Sequence, residues 1–148
     1  MASWSEIEAE APELTARARE LFGAHTHHTL ATLRRDGSPR ISGTEVDFKD
    51  GEVYLGSMWK AVKALDLRRD PRYAVHCGTV DPPEWSGDAK FAGTVEEIER
   101  EPNEKGERSH LFRCDITELV VVGLNEERTK LVIESWHEGR GVERLERA

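Results

Sequence analysis

The sequence predicts a mainly-β protein: an antiparallel barrel with Greek-key or meander connections, an N-terminal helix and a short basic helix. Three observations support this class. Apolar and polar residues alternate in many short runs, the period of a half-buried strand. Asp36-Gly37 and Lys49-Asp-Gly51 separate such runs with residues suited to tight turns. Helical spacing is confined to two stretches, so the regular strand–helix alternation of a doubly wound sheet is missing.

Residues 3–22 predict the first helix. Ser3 or Ser5 can cap it, Ile7, Ala11, Leu14, Ala18 and Leu21 recur on one face, and Gly23 ends it. Residues 28–35 alternate and are rich in β-formers, which makes them the first strand; residues 39–48 return as the second. The third strand spans residues 52–57. A short basic helix follows, Pro71 stops it, and residues 72–79 form the fourth strand. Asp81-Pro-Pro-Glu-Trp-Ser-Gly87 is a loop, because adjacent prolines and a glycine cannot serve a central ladder. Residues 89–99 alternate again, and residues 101–106 are a polar break. Residues 111–124 make a long strand in which Val120-Val-Val122 predicts burial on both faces. Residues 129–136 and 142–145 complete the set around Glu138-Gly-Arg-Gly141. With no repeat and no linker, residues 1–148 are expected to form one domain, its barrel over about residues 28–147.

Composition narrows the function. The net charge of −8 argues against general binding to nucleic acid or anionic membrane, since there is no cation excess to displace counterions. No apolar run reaches the length of a membrane span, and Met1-Ala-Ser-Trp-Ser-Glu-Ile-Glu lacks the basic-then-apolar order of a signal peptide. A cytoplasmic location is expected. Cys77 and Cys114 have no partners at metal-ligand spacing and lie in apolar, strand-like runs, so both read as buried thiols. His25-Thr-His-His28 supplies only part of a metal-ligand set; a helix-to-strand connection is the simpler account. Adjacent His76 and Cys77 point to opposite faces of a strand, which excludes a nucleophile–base pair between them.

The chemistry concentrates in Val53-Tyr-Leu-Gly-Ser-Met-Trp-Lys-Ala-Val-Lys63, where a strand runs into the basic helix. Ser57 ends the strand, Lys60 and Lys63 are three apart and so expected on one helix face, and the helix N-terminus points to the same place. A hydroxyl, ammonium groups and free backbone N–H groups together can hold a phosphate.

Four segments in fixed order, Leu30-Ala-Thr-Leu-Arg-Arg-Asp-Gly-Ser-Pro-Arg40, Val53-Tyr-Leu-Gly-Ser57, Lys63-Ala-Leu-Asp-Leu-Arg-Arg-Asp-Pro-Arg72 and Phe91-Ala-Gly-Thr-Val-Glu96, carry a family pattern. The chain over residues 28–98 resembles the pyridoxamine 5′-phosphate oxidase-like superfamily of split β-barrels, which bind FMN or the deazaflavin coenzyme F-420. The resemblance implies a homodimer with its sites at the subunit interface. It also implies that Ser57 and Lys63, with Lys60, grip the cofactor phosphate, and that Ser42, Gly43 and Thr44 pass the ring. Small residues there would let backbone approach the ring. Trp136 or Trp85 is expected to close the cleft. The pattern also departs from the pyridoxamine oxidases themselves. They carry Ser-Arg-Lys where this chain has Ala61-Val62-Lys63, an arginine at Ser42 and a lysine near Asp47. That specific activity is therefore not expected.

The resemblance implies an oxidoreductase that moves a hydride to or from a small organic substrate, with the cofactor and not a protein acid or base carrying the chemistry. The alternative is a non-catalytic cofactor- or haem-binding protein on the same barrel, with His76 or His137 as the candidate axial ligands outside the N-terminal histidine cluster.

Overall fold

The computed structural model describes residues 2–148. Its helices are α1 (Trp4–Glu10), α2 (Pro12–Gly23) and α3 (Val62–Arg69). Its strands are β1 (His28–Leu33), β2 (Pro39–Thr44), β3 (Val46–Lys49), β4 (Glu52–Met58), β5 (Arg72–His76), β6 (Asp88–Ile98), β7 (Ser109–Leu124), β8 (Leu131–His137) and β9 (Gly141–Arg147). All nine join one antiparallel sheet along the path β2-β1-β5-β6-β7-β4-β3, with β8 and β9 branching from β7. The protein is thus mainly β, as the alternation predicts. The sheet is not closed: β2 and β3 end the path, and each pairs only inward.

β7 is where the barrel splits. One of its edges pairs with β6 along nearly its whole length. The other edge is divided, residues 109–113 pairing with β4 and residues 118–124 with β8. Between them the β6–β7 register slips: Ala92 faces Glu118 and Gly93 faces Ile116, leaving Thr117 as the extra residue of a bulge. Glycine is needed opposite it, because a Cβ on Gly93 would lie 2.0 Å from the Asp115 carbonyl oxygen. Val120 and Val121, on opposite faces of β7, are both buried, as their unbroken apolar run requires.

Two predicted elements are divided. The expected single helix over residues 3–22 is two helices. Ser3 accepts from the Glu6 N–H while Glu6 reaches back to the Ser3 N–H, a capping box that opens α1. The residue before a proline is driven out of the helical region; Ala11, at φ −139°, ends α1, and Pro12 opens α2. The apolar face survives the break, and Ile7, Ala11, Leu14, Ala18 and Leu21 are all buried. The expected strand over residues 39–48 is likewise two strands. It breaks at Glu45, since β2 pairs with β1 while β3 pairs with β4. The chain crosses there from one end of the open sheet to the other. β5 stops at His76, earlier than the alternation suggests.

The core lies between the helical layer and the sheet. Phe22 of α2 packs on Phe91 with ring centroids 5.2 Å apart, and Trp4 meets Phe48 edge-on at 4.9 Å. Cys77 and Cys114 are buried thiols, as expected; burial pushes Cys114 up to about 12. Among the described residues no helix is long and apolar enough to cross a membrane.

Candidate functional site

A cavity of about 760 Å³ opens where the end of α2, the connection to β1, the β2–β3 crossing, β4 and the first turn of α3 converge. Four of the sequence-predicted residues line it: Gly43 and Thr44 from β2, Ser57 from the end of β4, and Lys63 from α3. The glycines leave it open. Neither Gly43 nor Gly56 would bring a Cβ within 4 Å of any atom, so the wall is bare backbone beside free space.

Lys63 is one of two cations on this wall, with Arg100, and Glu45 and Asp47 line the cavity as well. The Lys63 Nζ donates to the Gly43 carbonyl oxygen at 2.7 Å, and among the described residues no ion pair is formed with it. Burial alone moves its ammonium below the usual lysine range. A half-buried cation without a counter-ion is a ready site for an anion. Ser57 supplies a hydroxyl at the same wall, its Oγ donating to the Met58 carbonyl at 3.1 Å. No side chain caps the N-terminus of α3, which leaves its N–H groups free of side-chain competition.

The position of α3, and so of Lys63, is set by a buried carboxylate. Asp66 is 2% exposed and accepts from Thr32 Oγ1 at 2.8 Å, Arg40 Nε at 2.7 Å and Arg69 at 3.1 Å. Burial pushes its carboxyl up, but these hydrogen bonds outweigh burial and hold it below the usual range. The helix is thereby tied to β1 and β2. Arg69 pairs with Asp66 at 3.1 Å, whereas Arg68 pairs with Glu97 of β6 through two hydrogen bonds of 2.7 and 2.9 Å.

Three predicted site residues fall elsewhere. Lys60 does not share a helix face with Lys63, because α3 begins only at Val62. Lys60 sits in the preceding turn at φ 60°, and the Ala61 N–H closes that turn on the Met58 carbonyl at 3.1 Å. Ser42 does not line the cavity, and its Oγ is buried without a hydrogen-bond partner among the described residues. Trp136 is 2% exposed and donates its Nε1–H to Glu10 Oε2 at 2.8 Å, joining β8 to α1 away from the cavity. Thr44 lines the wall, but its hydroxyl is spent on the Glu45 carbonyl at 3.0 Å.

Sequence reasoning missed His25, His27, Tyr54 and Gly56, all on the cavity wall. Gly56 had a signal, since an interior strand glycine often marks close backbone approach. His25 and His27 had none, because the connection that brings them there has no periodicity. Among the described residues no three metal-ligating side chains gather. His76 and His137 bond to the Cys77 carbonyl and to Glu118, and neither lines the cavity.

No protein-family model matches this sequence, and no curated relative matches it. Solved structures do. A conserved hypothetical protein from Mycobacterium tuberculosis is 22% identical, with a TM-score of 0.58 over 68% of this chain and 79% of that one. A pyridoxamine 5′-phosphate oxidase-related, FMN-binding protein from Nostoc punctiforme is 13% identical, with a TM-score of 0.62 over 100% of this chain and 98% of that one. A haem-binding protein from Mycobacterium smegmatis is 14% identical, with a TM-score of 0.61 over 93% and 88%. At these identities the likeness is one of fold: this chain has the split-barrel fold of the pyridoxamine 5′-phosphate oxidase-like proteins.

Proposed function

We propose that this protein is a split-barrel oxidoreductase holding FMN or the deazaflavin coenzyme F-420 in the 760 Å³ cavity, acting on a small organic substrate. The observation that carries the reading is Lys63: a half-buried ammonium on the cavity wall, displaced downward by burial and without a carboxylate partner among the described residues. A cofactor phosphate would supply the missing counter-ion, and the Ser57 hydroxyl on the same wall would turn from the Met58 carbonyl to donate to it. The residues present fit such a group at both ends, because Gly43 and Gly56 leave open space for a flat ring.

When bound, the tricyclic ring supplies the hydride chemistry. The chain's part is to bind, orient and exclude water. Lys63 and Ser57 fix the phosphate end, the backbone at Gly43 and Gly56 lets the ring approach, and the side chains of Phe22 and Leu111 offer apolar wall. A second copy of the chain completes the enclosure in this reading. Met58 lines the cavity yet is 81% exposed, and Ile41 of β2, the strand whose Gly43 and Thr44 line the same cavity, is 74% exposed; both are apolar surfaces that a two-fold partner would cover.

A haem-binding reading uses the same cavity. It draws its axial ligand from His25 or His27, which line the wall, and not from His76 or His137. Titrating the purified apo-protein with FMN, with F-420 and with hemin separates the readings. Micromolar or tighter binding of either ring cofactor is the expected result. Binding of hemin alone, with a Soret band lost on replacing His25 or His27, overturns the oxidoreductase reading.

A further inference from the structure

The turn between Ser57 and Lys63 is not held by its own hydrogen bond alone. His110, on β7 directly opposite Ser57 in register, carries two of its residues. The Lys60 N–H donates to His110 Nε2 at 3.0 Å, and the Trp59 ring lies on the imidazole with centroids 4.5 Å apart at 14°. Lys60 needs this support, because φ 60° is a backbone region that a residue with a Cβ rarely adopts.

The imidazole is itself fixed. Its side chain is 0% exposed, and its Nδ1 meets Glu97 Oε1 at 2.7 Å. Since Nε2 accepts the Lys60 N–H, the ring proton sits on Nδ1 and is donated to Glu97. Glu97 in turn receives both hydrogen bonds of Arg68 from α3. A closed circuit results: α3 to Glu97, Glu97 to His110, His110 to the turn, and the turn back into α3. Both ends of the circuit meet the element that carries Lys63.

We propose that His110 is the positioning residue for phosphate binding, setting the Trp59–Lys60 turn so that Ser57 and Lys63 converge on one anion. The inference rests on the phosphate reading of Lys63 given above. His110 touches no ligand and acts through the turn.

Two variants separate this role from simple packing. His110→Phe keeps a flat ring under Trp59 and leaves Arg68 on Glu97, but it removes both the acceptor for the Lys60 N–H and the Nδ1–H donor to Glu97. His110→Gln restores an acceptor near the Nε2 position. Each is titrated with phosphorylated and phosphate-free rings, FMN against riboflavin and F-420 against its phosphate-free alcohol. Hydrogen exchange of the Lys60 amide is followed in parallel, and thermal unfolding verifies that each variant is folded. In His110→Phe the Lys60 amide exchanges faster and the phosphorylated ring binds about fivefold more weakly or worse, the loss expected from releasing the Lys60 N–H hydrogen bond that holds the turn. The phosphate-free ring is unaffected, and His110→Gln recovers both readouts. A folded His110→Phe protein that retains its preference for the phosphorylated ring overturns the proposal. Equal weakening of both rings in Phe and Gln variants overturns it too, since that is the signature of packing. A wild-type protein with no preference for phosphate overturns the phosphate reading and this inference with it.

Discussion

Replacing Lys63 by methionine should separate binding from stability. The substitution removes the Nζ contact to the Gly43 carbonyl at 2.7 Å and keeps most of the apolar stem. A charge-assisted hydrogen bond to phosphate contributes about 1.5–3 kcal/mol, so affinity for the phosphorylated ring should fall about 10- to 150-fold. The folded protein should be nearly indifferent. It loses one hydrogen bond to a carbonyl that faces the cavity, about 1 kcal/mol, and is relieved of a cation that burial disfavours. The melting temperature of the apo-protein should therefore stay within about 3 °C of wild type. The wild-type site adds a sign in pH. Because burial lowers the Lys63 pKa below 10.5, phosphate affinity should decline with rising pH before that value is reached, and Lys63→Met should lose this dependence. Fluorescence titration across pH with differential scanning calorimetry measures both quantities. An unchanged dissociation constant, or a large fall in melting temperature, would refute the reasoning.

Gly56→Val should be accepted by the strand, since no atom lies within 4 Å of its Cβ and valine favours strands. It should weaken binding of the ring more than about tenfold by filling the wall, read in the same titration. Acid should destabilise the fold in two stages. Burial, helped by His25 and His27, lowers the His28 pKa below 6.5, so stability present above pH 6.5 is lost as pH falls and the unfolded chain binds the proton first. Hydrogen bonds from Arg68 and then His110 hold the Glu97 carboxyl at about 2, below its usual 4.5. Its contribution is complete above pH 4.5 and is lost towards pH 2. Urea midpoints from pH 8 to 3 test this, and His28→Asn should erase the upper stage. In solution at micromolar concentration, sedimentation should give twice the chain mass, and Met58→Asp should shift it towards the monomer.

Much of the fold was legible because alternation and turn chemistry are local. Asp50 and Gly51, at φ 52° and 78°, turn where the sequence suggests, and the long run over β7 is buried on both faces where Val120-Val-Val122 lies. The errors came where a long-range choice decides. Residues 39–48 alternate without interruption, and only the partner strands reveal that Glu45 separates two pairings. Pro12 was readable as a helix start but was absorbed into an apolar face that continues across it. At the site, Ser57 and Lys63 are neighbours through a short local turn, and so the sequence brought them together. Lys60 was misplaced because helix onset depends on that turn, which His110 holds from fifty residues away. Trp136 was assigned to the cleft by residue type, whereas its indole N–H is committed to Glu10.

The central claim is that the cavity beside Lys63 receives the phosphate of a flat ring cofactor. A crystal structure of the protein with FMN or F-420 tests it most directly. The account predicts the phosphate at about 2.7–2.9 Å from Lys63 Nζ, within reach of Ser57 Oγ, and the ring against the backbone of Gly43 and Gly56. A ring bound with its phosphate directed to solvent, or seated outside this cavity, would contradict it.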